Sequence, residues 1–177
     1  IDPTWFVNAS LLHTTAFGMS KEPAQTHILT AIKQASVAGI QLSVDWNYAE
    51  KIWGPENNAS LIFKAILSFR PLLKLSLDDA SRFLGTPQSI ESAKEFLSNF
   101  QTTVSCLTCG SEGVWYKVQD QNWQFREALP VEVKDSTGAG DSFWAGFVHA
   151  WLNGQAIDKA IELALHTAAR RLKGELD

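Results

Sequence analysis

The sequence predicts an α/β protein built on a largely parallel sheet, and two observations carry that expectation. Short β-type runs alternate with segments of helical spacing up to Gly110, and the borders between them hold residues that start and stop helices. The β-type runs are "TWFVNAS" (residues 4–10), "QLSVDWN" (41–47), "LLKLS" (72–76) and "TVSCLT" (103–108). Between them, residues 23–38, 57–69, 78–84 and 89–100 space their apolar side chains as helices do. Ser20-Lys21-Glu22-Pro23 opens the first helix, because proline in the first turn gives up no helical hydrogen bond, and Gly39 closes it. Thr86-Pro87-Gln88-Ser89 opens another. Parallel strands need such crossovers.

After Gly110 the rhythm changes. "GVWYKV" and "WQFREAL", separated by the turn-like "QDQN", predict an antiparallel hairpin at a sheet edge. Two helices then close the chain, one over about residues 139–152 that stops at Asn153-Gly154, the other over about 156–173. No repeat, linker or low-complexity tract interrupts residues 1–177, so one α/β domain is expected.

The 177 residues are 45% hydrophobic and 19% charged, a composition that suits a soluble globular chain with a sizeable core. A formal charge of −4 without a Lys/Arg-rich run argues against nucleic acid as a partner. The apolar run at 61–67 is broken by Lys64, which argues against a membrane span. The chain begins at Ile1 with neither a basic nor a signal-like start, and reads as one that starts mid-protein. Cys106 and Cys109, spaced C-x-x-C, sit in a β-type run with no second pair of ligands, so buried thiols in a reducing cytoplasm are expected. On that reading the sequons at Asn8 and Asn58 are accidental.

The chemistry concentrates in "KDSTGAGDSFWAGF" (134–147). Gly138, Ala139 and Gly140 carry almost no side-chain bulk, so an anion can approach backbone N–H groups at the start of the following helix. Asp141, in the first turn, is kept ionised by the helix dipole and can take a proton from a hydroxyl nucleophile. An anion hole beside a carboxylate base suits phosphoryl transfer. Taken alone, GAGD also fits an Asp-rich turn with a glycine N-cap.

With its flanks, "DSTGAGDSFWAGF" resembles the D-[ST]-x-G-A-G-D-x-F-x-x-G-F signature of the ribokinase-like (PfkB) sugar kinases through Asp135, Gly138, Ala139, Gly140, Asp141, Phe143, Gly146 and Phe147. The resemblance implies a three-layer α/β/α sandwich, Asp141 as catalytic base, and the preceding amides as the hole for the transferring phosphoryl group. "TCGSEG" is similar to the family's T-x-G-x-x-G, implying that Thr108, Gly110 and Gly113 lie along the nucleotide. "VDWNYAEKIW" resembles the D-x-N-x-R-x-x-x-W stretch of the fructokinase and 2-keto-3-deoxygluconate kinase branch, with Asp45, Asn47 and Trp53 matched and Ala49 at the Arg position.

Two departures stand out. Ser76-Leu77-Asp78-Asp79 replaces N-x-x-E, so Ser76 falls to the nucleotide side and Asp79, with Asp135, to the metal. "AARRLKGELD" does not resemble the family's monovalent-cation loop. The cofactors implied are ATP and Mg2+, with a monovalent cation left open. The partners are a small-molecule sugar and ATP, with no nucleic acid or membrane, and a homodimer is open for the full-length parent.

His13 and Lys51 are expected near the sugar and His166 near the adenine; His27 and His149 read as packing. Trp115, Trp123, Trp144 and Trp151 read as core or a covered sheet edge. The resemblance corresponds to the C-terminal part of a family member, without its first βαβ units or β-lid. The expected function is ATP-dependent phosphorylation of a neutral, fructose-like sugar by the parent, with the isolated chain inactive. The alternative is a kinase-like binding or regulatory subunit.

Overall fold

The computed structural model describes residues 2–55 and 57–176, with six strands and seven α-helices among them. The strands are β1 (Leu11–Thr15), β2 (Gln41–Asp45), β3 (Leu72–Ser76), β4 (Val104–Thr108), β5 (Gly113–Val118) and β6 (Gln124–Glu127). The helices are α1 (Ala24–Val37), α2 (Glu50–Trp53), α3 (Ala59–Leu67), α4 (Leu77–Leu84), α5 (Ile90–Ser98), α6 (Ala139–Leu152) and α7 (Ile157–Leu172). The strands form one sheet whose spatial order is the chain order, β1 to β6.

β1 pairs parallel with β2, from Leu11 opposite Gln41 to Thr15 opposite Asp45, and β2 pairs parallel with β3, setting Asp45 opposite Lys74. The leading ends of β3 and β4 also lie together, since the Thr103 N–H donates to the Pro71 carbonyl at 2.9 Å. The links 109–112 and 119–123 are too short for a crossover, so β4, β5 and β6 run antiparallel in succession. The expected edge hairpin is β5 with β6.

Residues 4–10 do not form the expected strand. Asp2 accepts the Thr4 N–H at 2.9 Å and Pro3 sits in the first turn, so Pro3–Phe6 coil into a 3-10 helix. The apolar side chains there had suggested a strand, but Trp5 and Val7 are exposed. The strand is the next segment, Leu11–Thr15, which places His13 inside β1 rather than after it. The short α2 carried no helical period in the sequence and ends at Gly54, whose φ of 84° favours glycine. Elsewhere the expected starts hold: Ser89 caps α5 by accepting the Ser92 N–H at 3.1 Å, and α6 spans Ala139–Leu152.

The chain divides into two compact units, one holding residues through Leu107 with Tyr116–Trp123, the other holding Thr108–Trp115 and the residues from Gln124 onward. In the first, Leu42, Val44, Leu72, Leu73 and Leu75 are buried, the near-continuous burial of parallel strands. Trp46, fully buried, packs against Phe63 at 4.7 Å and Phe83 at 5.3 Å between ring centroids. Cys106, and Cys109 in the second unit, are both buried and outside any disulfide. Burial pushes the Cys106 thiol up, which keeps it protonated despite the Lys74 charge.

The second unit is built on the α6/α7 pair. Trp144 stacks on Phe147 at 4.7 Å, and both are buried with Ala160, Ile161 and Ala164 of α7. The helices touch where α6 carries Gly146: a Cβ there would stand 2.6 Å from Thr167 Oγ1 and 3.0 Å from Ala164 Cα. Neither neighbour can withdraw without parting the helices. Gly146→Val is therefore expected to destabilise the fold by about 1–3 kcal/mol, read as a lowered urea midpoint at unchanged slope. An unchanged midpoint would mean that the helices separate freely.

Candidate functional site

In the second unit, the helix entry takes its shape from Gly138, which caps α6 with φ 76°, a left-handed conformation that other residues seldom adopt. The first bond of the helical ladder is Ser142 N–H to the Gly138 carbonyl, at 2.9 Å. The amides of residues 139–141 thus precede the ladder. Ala139 spends its N–H on the Ser136 carbonyl at 3.2 Å, so the amides left for a ligand are those of Gly140 and Asp141. That narrows the expected hole of Gly138, Ala139 and Gly140. Asp141 itself is exposed in the first turn.

Asp135 is held on both oxygens. Oδ1 accepts the Thr137 N–H at 2.9 Å, and Oδ2 accepts from Arg171 Nη2 at 3.1 Å. The Thr137 backbone bond first, and the Arg171 charge after it, hold its carboxyl below the usual range. Its contribution to order is complete above the ordinary Asp range and fades only as pH falls through the lowered value.

Thr108 ends β4, and a tight turn follows, closed by Cys109 N–H to the Gly113 carbonyl at 2.8 Å. Gly110, at φ 58°, faces open space, whereas a Cβ on Gly113 would collide with the Arg126 carbonyl and stand 2.8 Å from the Ala128 nitrogen. Gly113 is therefore required by the returning chain whatever else it touches. His166 is exposed on α7 and lines a groove of about 500 Å³ with Arg126, Glu127, Leu129, Asp158 and Glu162. Glu162 accepts from Lys159 at 2.6 Å, which holds its carboxyl low.

In the first unit, Asp45 is buried and both of its oxygens accept from Lys74 Nζ, at 3.0 and 2.9 Å. Asn47 accepts the Phe17 N–H at 3.3 Å through Oδ1, and His13 Nδ1 lies 3.0 Å from Ser43 Oγ on the neighbouring strand. Lys51 is exposed on α2, and Ala49 is the extended residue before that helix. Ser76 caps α4 by accepting the Asp79 N–H at 2.9 Å, while its hydroxyl donates to Asp79 Oδ2 at 2.6 Å. Arg82 takes the other oxygen of Asp79 at 2.6 Å and donates to the Tyr48 carbonyl at 3.3 Å.

Three basic residues emerge that the sequence reading passed over: Lys74, Arg82 and Arg171. Lys74 had a signal, since it is a lone charge in the apolar run "LLKLS", as Asp45 is in "LSVDW". Arg82 stands three residues from Asp79, a spacing at which helical side chains meet. Arg171 is 36 residues from Asp135 and gave none.

Among known proteins, residues 2–173 match the family model described as pfkB family carbohydrate kinase. The chain is 27% identical over 166 residues to an ATP-dependent 6-phosphofructokinase of Thermoanaerobacterium thermosaccharolyticum, covering 94% of this chain and 51% of that one. It is 30% identical over 146 residues to a fructokinase of Escherichia coli, covering 82% and 47%. Its fold matches the crystal structure of aminoimidazole riboside kinase from Salmonella enterica with a TM-score of 0.83 at 20% identity, over 92% of this chain and 56% of that one. The chain thus spans about half the length of the curated relatives it matches. With the signature at the entry to α6 and the match over residues 2–173, the chain belongs to the pfkB family of carbohydrate kinases and has the ribokinase-like α/β fold.

Proposed function

We propose that the full-length parent transfers the ATP γ-phosphoryl group to a hydroxyl of a neutral, fructose-like sugar, and that residues 1–177 are a partial kinase domain carrying the nucleotide site and the base. The observation that carries this reading is the entry to α6, where the exposed Asp141 follows two amides that no helical acceptor claims. In this reading Asp141 takes the proton of the attacking hydroxyl. The Gly140 and Asp141 amides, in the loop shaped by Gly138 and Ala139, hold the anion as charge builds on it. In the second unit Thr108, Gly110, Gly113 and His166 are assigned to the nucleotide, and in the first unit Ser76 is assigned to the nucleotide and Asp45, Asn47, His13 and Lys51 to the sugar. Asp45 acts there through the position of its strand, because its carboxylate is taken up by Lys74.

Magnesium bound with ATP neutralises phosphate charge and needs only one or two protein carboxylates. The acids available do not fit direct ligation. Asp79 and Asp135 each already face a guanidinium, and no group of three His, Cys, Asp or Glu side chains gathers among the described residues. We therefore assign both acids to the water around a nucleotide-borne ion. No described helix is long and apolar enough to cross a membrane. The buried thiols Cys106 and Cys109, outside any disulfide, support the reducing cytoplasm as the compartment.

The neutral sugar follows from Ala49. An arginine at that position would offer a substrate carboxylate a planar pair of donors, and an alanine offers none. Turnover of ATP by the full-length parent with fructose, fructose 6-phosphate and 2-keto-3-deoxygluconate is the test, and we expect kcat/KM for fructose to exceed that for the acid sugar by at least about tenfold. A preference for the acid sugar that collapses in Lys51→Ala would show that Lys51 holds the carboxylate. ATP bound without turnover of any sugar would favour a binding or regulatory subunit.

A further inference from the structure

The C-terminal turn of α7 grips the segment that leads into α6. The Lys134 and Asp135 N–H groups both donate to the Leu172 carbonyl, at 2.8 and 3.5 Å. These bonds fix where the main chain runs, but they do not fix the side chain of Asp135. That is done by Arg171, whose Nη2 donates to Asp135 Oδ2 at 3.1 Å. With one oxygen held there, the other accepts the Thr137 N–H at 2.9 Å, and this bond sets the turn that delivers Gly138 in its left-handed conformation.

The same guanidinium lies against the loop itself. Its Nε is 3.5 Å from where a Cβ on Gly138 would stand, so a side chain at 138 would reach van der Waals contact with it. The Arg171 side chain is about three-quarters buried, with a relative exposure of 27%.

We infer that Arg171 is a positioning residue for the phosphate end of the nucleotide, holding the loop from Asp135 to Gly138 in its anion-receiving shape through the Asp135 carboxylate. The inference rests on the kinase reading above and deepens it. Arg171 acts through Asp135 and Thr137 on the amides, so its loss affects a ligand that carries a terminal phosphate and spares one that does not. Lysine keeps the charge and can reach the carboxylate as a point donor.

The test is calorimetric binding of ATP with magnesium, and of adenosine, to the full-length parent and to its variants Arg171→Gln, Arg171→Lys and Asp135→Asn, with melting temperatures recorded alongside. Arg171→Gln is expected to weaken ATP about tenfold and adenosine less than about twofold, and Arg171→Lys to recover most of the loss. Asp135→Asn, measured with ATP free of magnesium so that the acid's place in the ion's water plays no part, separates positioning from simple charge: it frees the guanidinium, so weakened ATP binding supports positioning, and unchanged or tightened binding overturns it. Equal losses for ATP and adenosine in Arg171→Gln, unrelieved by lysine, would reduce Arg171 to a structural tie and overturn the inference. ATP bound equally by the native chain and Arg171→Gln would sink the inference alone. ATP bound by neither would sink the kinase reading, and the inference with it.

Discussion

Asp141→Asn in the full-length parent is expected to lower turnover by at least about a hundredfold while nucleotide affinity stays nearly unchanged. The substitution keeps the size of the side chain and its place in the first turn of α6, and removes only the basicity. The Gly140 and Asp141 amides belong to the main chain, so the hole they form survives the change. In the proposed reaction the sugar hydroxyl, however, loses its proton acceptor at the moment of attack. Isothermal titration with an ATP analogue, paired with steady-state kinetics, separates the two effects. Parallel losses in affinity and rate would assign Asp141 to binding rather than to proton transfer.

Lys74→Met is expected to cost about 3–5 kcal/mol of stability, because it leaves the Asp45 carboxylate buried without its countercharge. Both side chains are nearly sealed from water, at 5% and 3% exposure, and the β2/β3 register sets them directly opposite. The pair is a poor source of stability but a severe liability once broken. The double variant Lys74→Met/Asp45→Leu removes both charges at once and is expected to recover most of the loss. Urea unfolding of the single and double variants gives the coupling directly. A single variant within about 1 kcal/mol of the native chain would mean that water reaches Asp45 after all.

What the sequence disclosed, and what it withheld, follows the range of the forces involved. Helices such as α6 announced themselves through a glycine cap, a period of apolar residues and a stop at Asn153-Gly154, all local features. "LLKLS" matched β3 residue for residue because a strand buried on both faces reads as an apolar run. "TWFVNAS" misled because apolar content alone does not reveal that Asp2 and Pro3 have already started a 3-10 turn. The signature around Asp141 was legible for the same local reason, since a loop without side chains must be written as consecutive small residues. Arg171 was not. Nothing near residue 171 says that its side chain reaches Asp135, and nothing in "GAGD" says that the Ala139 N–H is spent on Ser136.

The order of the strands bears on how the sheet is assembled. Every strand lies beside its predecessor in the chain, so no pairing waits on a partner from distant sequence, and the loop-closure entropy opposing each addition is small. During synthesis the sheet can grow from one side, each new strand meeting an edge already laid down. Such growth leaves a live edge at every stage, able to recruit a neighbouring chain. The last strand, β6, is short, exposed along its whole length and carries Arg126 and Glu127, a poor template for another strand to copy. The edge that β6 presents therefore resists intermolecular pairing.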